Sequence, residues 1–242
     1  MGVRILILGA GPLPSDDEAP MWIAEQKGEL LIERFVRACV PLDGQLIFAV
    51  RGQDITRFHI DNVIELAAPG AKIITITRET QGAACTALLG IRHIGWEEEL
   101  LILNSNEFVN IDYRATVESF RNRDLDAGVV VFPSLHPRYS YLRLDREGLI
   151  EEAAEKRPIS RHATAGFYWY RRGGDFIEAV QDMIRKDANV GGKFFISLTL
   201  NELVLKQRRM GVHEIDAKNY YPLKSSQQVA AFEIGSQVEA TH

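Results

Sequence analysis

The chain has 242 residues, 46% hydrophobic and 25% charged, an ordinary globular composition with enough apolar residues to bury a substantial core. Its net charge of −5 gives no electrostatic basis for binding nucleic acid or an anionic membrane surface, although a few local cations suffice for a phosphorylated small molecule. Cys39 and Cys85 both sit in apolar patterns, so buried thiols in a reducing cytoplasm are expected, not a disulfide framework.

The first apolar run is too short for a membrane span or a signal-peptide core and leads into Gly9-Ala10-Gly11, so it reads as a strand, Arg4 to Leu8. Ile32, Phe35, Val36 and Cys39 then fall at helical spacing, and strands are predicted at Gln45 to Val50 and Lys72 to Thr77. Ala84, Ala87, Leu88 and Ile91 repeat the helical stripe before strands at Glu99 to Leu103 and Ala127 to Phe132. This alternation predicts stacked βαβ units and a largely parallel sheet. Beyond Pro133 the pattern becomes antiparallel, with Tyr139 to Leu144, a turn at Asp145-Arg146-Glu147-Gly148 and a return strand from Leu149. Thr164 to Tyr170 is a further strand, followed by one helix through Phe176, Ala179, Val180, Met183 and Ile184 and another through Ile196, Leu200, Leu203 and Val204. A strand at Val212 to Ile215 and a short helix near Ser226 to Phe232 end the pattern. No repeat or linker divides the chain, so one α/β domain is expected over 1–234, with a mixed, mostly parallel central sheet flanked by helices and a flexible tail at 235–242.

Open parallel sheets bind ligands beyond the carboxyl ends of their strands, which nominates the segments after Leu8, Thr77 and Leu103. Gly9-Ala10-Gly11 allows close backbone approach to a phosphate or a flat base. A dinucleotide fingerprint would need a third glycine where Pro14 stands and an acid where strand two ends in Val50-Arg51, which disfavours NAD and FAD. In Glu79-Thr80-Gln81-Gly82-Ala83-Ala84-Cys85-Thr86, Gln81 offers a paired donor and acceptor to a base edge; the structural alternative is a helix start capped by Thr80. Asn104-Ser105-Asn106-Glu107, with Asp112 nearby, places oxygen ligands where Mg²⁺ would sit, yet these residue types also form turns. Glu155-Lys156-Arg157-Pro158-Ile159-Ser160 sets a cation where a sugar phosphate could meet it, or forms a solvated charged loop. Tyr220-Tyr221 is expected to fill the rim of the sheet.

Taken in order, these segments resemble the sugar-1-phosphate nucleotidyltransferase family, especially its short members linked to capsule and surface-polysaccharide biosynthesis. The family's T-x-G-A-A-x-x-A base loop resembles Thr80 to Ala87, its N-G-D loop Asn104-Ser105-Asn106, its E-K-x-x-I-S segment Glu155 to Ser160, and its A-T-x-G-x-Y segment Ala163 to Tyr168, with Asn201-Glu202-Leu203 following. The resemblance implies a Rossmann-like nucleotidyltransferase fold. It also implies attack of a sugar-1-phosphate on the α-phosphate of a nucleoside triphosphate, with a nucleotide-sugar as product and Mg²⁺ as cofactor. On that basis Gly9, Ala10, Gly11, Thr80, Gln81, Gly82 and Ala83 would bind the nucleotide; Asn104, Gly166 and Asn201 the sugar phosphate; Lys156, Glu155 and Asp112 would be catalytic; and Asn106, Glu107 and Asp216 would face the metal.

The departures are equally specific. No arginine follows Gly11, the next residues lead into Asp16-Asp17-Glu18, and the lysine position reads Met21. The metal aspartate reads Asn106, and the late G-T-P-x-D motif reads Lys224-Ser225-Ser226-Gln227-Gln228. Either the site is rearranged, with Glu107, Asp112 or Asp216 on the metal and Lys27 or Arg78 supplying charge, or the chain is a catalytically silent nucleotide-sugar-binding regulator or scaffold. A glycosyltransferase on similar architecture would want an Asp-x-Asp pair, which Asn104-Ser105-Asn106 does not supply. Neither nucleic acid nor membrane insertion is expected, and a homo-oligomer stays open.

Overall fold

The computed structural model describes residues 2–11, 18–26, 28–223, 225 and 228. In chain order the elements are β1 (Val3–Leu8), β2 (Glu25–Gln26), β3 (Glu29–Leu30), α1 (Leu31–Cys39), β4 (Gln45–Arg51), α2 (Gly52–Phe58), α3 (Ile60–Ala67), β5 (Lys72–Ile76) and α4 (Ala83–Leu88). There follow β6 (Glu99–Asn104), β7 (Glu107–Val109), α5 (Tyr113–Asn122), β8 (Ala127–Pro133), β9 (Ser140–Leu144), β10 (Ile150–Glu155) and β11 (His162–Tyr170). The last are α6 (Gly173–Arg185), α7 (Thr199–Leu205), β12 (Met210–Glu214) and β13 (Tyr220–Pro222).

The central sheet runs β10-β9-β11-β6-β1-β4-β5, with β8 beside β11 and β12 beside β8. Strands β6, β1, β4 and β5 are mutually parallel, β11 runs antiparallel to both β6 and β8, and β12 runs parallel to β8. The near-continuous apolar run of β1 follows from burial on both faces. Val3, Ile5 and Ile7 point into one core with Ile32 and Phe35 of α1, Ile60 and Ile64 of α3, and Tyr113, Val117 and Phe120 of α5. Leu6 and Leu8 point into the other core, with Ala84 and Ala87 of α4, Phe176, Val180 and Met183 of α6, and Leu200 and Leu203 of α7. The two-residue alternation of the strand thus sorts its side chains between the layers.

The mixed, mostly parallel sheet matches the expectation, while several boundaries differ. Helix α4 stops at Leu88, because Gly90 and the turns around it end the repeat, and Ile91 is left 39% exposed. The stripe beginning at Ile196 divides into a 3₁₀ turn, Ile196–Leu198, and α7. Helices α2, α3 and α5 and the short β7–β13 ladder have no counterpart among the expected elements; three-residue strands leave almost no periodic signal. Cys39 is buried as expected, whereas Cys85 is only half-buried. The predicted helix near 226–232 apart from Gln228, the tail at 235–242, Asp16, Asp17 and Lys27 lie outside the described residues. No helix among the described residues is long and apolar enough to cross a membrane.

Candidate functional site

The parallel strands deliver the segments after Leu8, Arg51, Ile76 and Asn104 to one edge of the sheet. Because β11 runs the other way and pairs Phe167 with Leu103, its opening residues reach that edge too, bringing Gly166 beside Asn104.

At the first turn, Gly9 donates its N–H to the Ala49 carbonyl at 2.8 Å. A methyl group on Gly9 would lie 3.0 Å from the Trp22 ring, and Trp22 is itself buried and stacked on Phe48. The smallness of Gly9 therefore serves packing. Gly11 is exposed, with open space where a side chain would stand, and Ala10 packs on the α4 side of the sheet.

The loop after β5 is held by its own hydroxyls and by a distant segment. Thr80 and Thr86 share a 2.6 Å hydroxyl hydrogen bond, and Thr80 also donates to the Gly82 carbonyl. The residue that caps α4 is Gly82, not Thr80, which corrects the structural alternative offered for that hydroxyl. Gln81 accepts from the Phe194 N–H at 2.7 Å, and Ala84 donates to the Phe194 carbonyl at 3.1 Å. Gln81 itself is exposed, and Ala83 packs against the core.

At the end of β6 the structure gathers Asn104, Glu107, Gly166 and Tyr220. One Glu107 oxygen accepts from the Asn104 amide at 2.6 Å and the other from the Tyr220 hydroxyl at 2.6 Å. Gly166 adopts φ +67°, and a methyl group there would run into the Glu107 carboxylate. Burial pushes the Tyr220 phenol well above its ordinary range, and the Glu107 charge adds to that, so the hydroxyl stays a donor. Asn106 is exposed in the turn between β6 and β7, its carbonyl accepting from Leu223 N–H.

Asp216 does not join this group. Along the β7–β13 ladder Leu223 meets Asn106 while Asn219 meets Asn110, so Asp216 lies beyond the opposite end. It borders instead a groove of about 600 Å³ that includes Phe132, His162, His213 and Glu214. Asp112 is likewise engaged elsewhere: its carboxylate accepts from Ala115 N–H and caps α5.

Glu155 is buried at the end of β10, where the hydroxyls of Ser140 and Ser197 donate to it. Lys156 is exposed, adopts φ 54° and holds its ammonium 5.5 Å from the Phe195 ring centroid. Asn201 is engaged by backbone, accepting from Ala153 N–H at 2.8 Å and donating to Ala153 C=O at 2.9 Å. Its local role is to pin α7 to β10.

The three residues nominated for Mg²⁺ are not gathered around one point. The ion takes oxygen ligands in octahedral geometry, usually one or two carboxylates with phosphate and water. Asn106 offers only neutral atoms, Glu107 keeps one free lone pair on each oxygen beyond its bonds to Asn104 and Tyr220, and Asp216 is separated from both by the ladder. Among the described residues no cluster of three or more His, Cys, Asp or Glu could hold a metal ion.

The fold is shared with solved structures. A nucleoside-diphosphate-sugar pyrophosphorylase from Vibrio cholerae RC9 superposes with a TM-score of 0.79 at 20% identity, covering 95% of this chain and 99% of that one. The fold is that of the nucleotide-sugar pyrophosphorylases. A UDP-glucose pyrophosphorylase complexed with UDP-glucose gives 0.73 at 15% identity over 99% of both chains. A Bacillus anthracis protein assigned as a glucose-1-phosphate thymidylyltransferase, in complex with sucrose, gives 0.74 at 17% identity over 96% of this chain and 94% of that one. No protein-family model matches the chain, and no curated protein matches it.

Sequence reasoning missed Tyr220 as the partner of Glu107, and Lys193 and Phe194 as partners of the loop at 79–84. The signal available was the Gly191-Gly192 pair, a hairpin-turn signature just ahead of Lys193.

Proposed function

We propose that the protein is nucleotidyltransferase-like and holds a nucleotide-sugar along the C-terminal edge of its sheet without transferring the nucleotide. The base would lie at Gln81 and the sugar between Asn104, Gly166 and Glu155. Nucleotidyl transfer works by positioning and by neutralising developing phosphate charge. The observation that supports the binding reading is the dispersal of the acids: Glu107 accepts from Asn104 and Tyr220, Asp112 caps a helix, and Asp216 lies beyond the far end of the β7–β13 ladder. A place in surface or capsular polysaccharide assembly rests on the sequence resemblance. The cytoplasm is its compartment in this reading, consistent with free Cys39 and Cys85.

A second reading, transfer from a nucleoside triphosphate to a sugar-1-phosphate, is favoured by the exposed Lys156 next to Glu155. The two are separated by calorimetry with nucleoside diphosphate-sugars, run alongside pyrophosphate release from each triphosphate with sugar-1-phosphates and Mg²⁺. Binding without release is the expected result. Release that disappears in Lys156→Ala would establish transfer, and no binding of any nucleotide would overturn both.

A further inference from the structure

We infer that the segment 193–197 is a positioning strap that sets the base loop relative to Glu155 and Lys156, making Lys193 and Phe194 determinants of nucleotide affinity. The inference rests on the reading that this edge takes a nucleotide.

Successive residues of the strap engage both the loop at 79–84 and the end of β10. Lys193 Nζ reaches Glu79 Oε1 at 2.6 Å and the Thr80 carbonyl at 3.4 Å. The Phe194 backbone pairs on both sides, with Gln81 at 2.7 Å and Ala84 at 3.1 Å. The Phe195 ring lies beneath Lys156, and the Ser197 hydroxyl donates to Glu155 at 3.5 Å. Both ends of the strap are anchored. Val190 and Lys193 exchange backbone hydrogen bonds across Gly191 and Gly192, whose φ values of 60° and 74° suit a tight hairpin. Beyond it, Ser197 and Thr199 are fully buried.

Gly82 shows how closely the two segments meet. It adopts φ +109°, and a methyl group on it would lie 2.5 Å from the Phe194 carbonyl oxygen and 2.7 Å from its nitrogen. The glycine of the loop at 79–84 is thus required by the strap itself. The Gln81 backbone is fixed while its residue stays exposed, which is the preorganisation that lowers the ordering cost of binding. The Lys193–Glu79 pair is open to solvent, with side-chain exposures of 44% and 85%, so it trims the position of the loop while the Phe194 backbone carries it.

The test uses the full chain with ADP-, GDP-, CDP-, UDP- and dTDP-glucose and the five corresponding triphosphates as calorimetric probes, and hydrogen exchange at the Phe194 and Ala84 amides. Lys193→Glu should weaken the tightest nucleotide about fivefold, within the range of an exposed ion pair, and adding Glu79→Lys should restore it. Gly82→Ala should accelerate exchange at both amides and abolish nucleotide binding. Should that variant fail to fold, the charge swap decides alone. Unchanged affinity in Lys193→Glu, or a loss the swap does not rescue, overturns the positioning role. Unprotected Phe194 and Ala84 amides in the unaltered chain overturn the strap itself. A strap that is protected in a chain binding none of the nucleotides would instead sink the nucleotide reading, and the affinity role of Lys193 and Phe194 with it.

Discussion

Tyr220 donates its phenolic hydrogen to Glu107 at 2.6 Å, joining two strands that stand 113 residues apart in the chain. The ring also stacks on Phe132, with centroids 4.0 Å apart. Tyr220→Phe keeps the stack and removes only the donor. A hydrogen bond to a charged group contributes about 1.5–3 kcal/mol, so urea unfolding should show a loss of that order. An unchanged midpoint would mean that Glu107 is satisfied by water instead.

Asn201 separates a ligand-binding role from a structural one. Its amide closes both backbone groups of Ala153, and Ala153 is buried. Asn201→Ala strands a donor and an acceptor and should cost about 2 kcal/mol or more in denaturant unfolding. If stability holds and only sugar-phosphate binding falls, the assignment to β10 is wrong.

His213 supplies a pH signature. Burial lowers its pKa below the ordinary 6.5, and the nearby Arg123 charge lowers it further. As pH falls through 6.5 the unfolded chain takes up a proton that the folded chain resists, so folding loses stability until the folded pKa is passed. Thermal midpoints of the parent and His213→Gln should therefore diverge between about pH 7 and pH 5, the parent falling faster. Parallel curves would remove His213 from the account.

The thiols should differ in reactivity. Burial pushes Cys39 up to about 12, while the half-buried Cys85 is raised by the same cause. The thiolate is the reactive form, so at pH 8 a chromogenic disulfide should label Cys85 slowly and Cys39 only after denaturation. Rapid labelling of Cys39 in the native chain would contradict its burial.

Much of the fold was readable because it is written locally. The apolar run of β1, the helical stripe through Phe35 and Cys39, and the Asp145 to Gly148 turn each follow from a few adjacent residues. That the segments after β1, β5 and β6 share one edge was readable as well, since parallel strands place their following loops together. Site roles were less legible, because one residue type serves several ends: Asp112 caps a helix, Asn201 closes a backbone pair, and Gly9 makes room for Trp22.

The order of apolar and turn-forming residues by itself determined a mixed α/β sheet with its loops gathered at one end, since burial on two faces imposes that pattern on any chain that folds this way. Tertiary structure alone decided that Glu107 is held by Tyr220 and that Gly82 lies against Phe194. Such contacts join segments distant in the chain, and a hydrogen bond or a close backbone approach leaves no periodic trace in either segment.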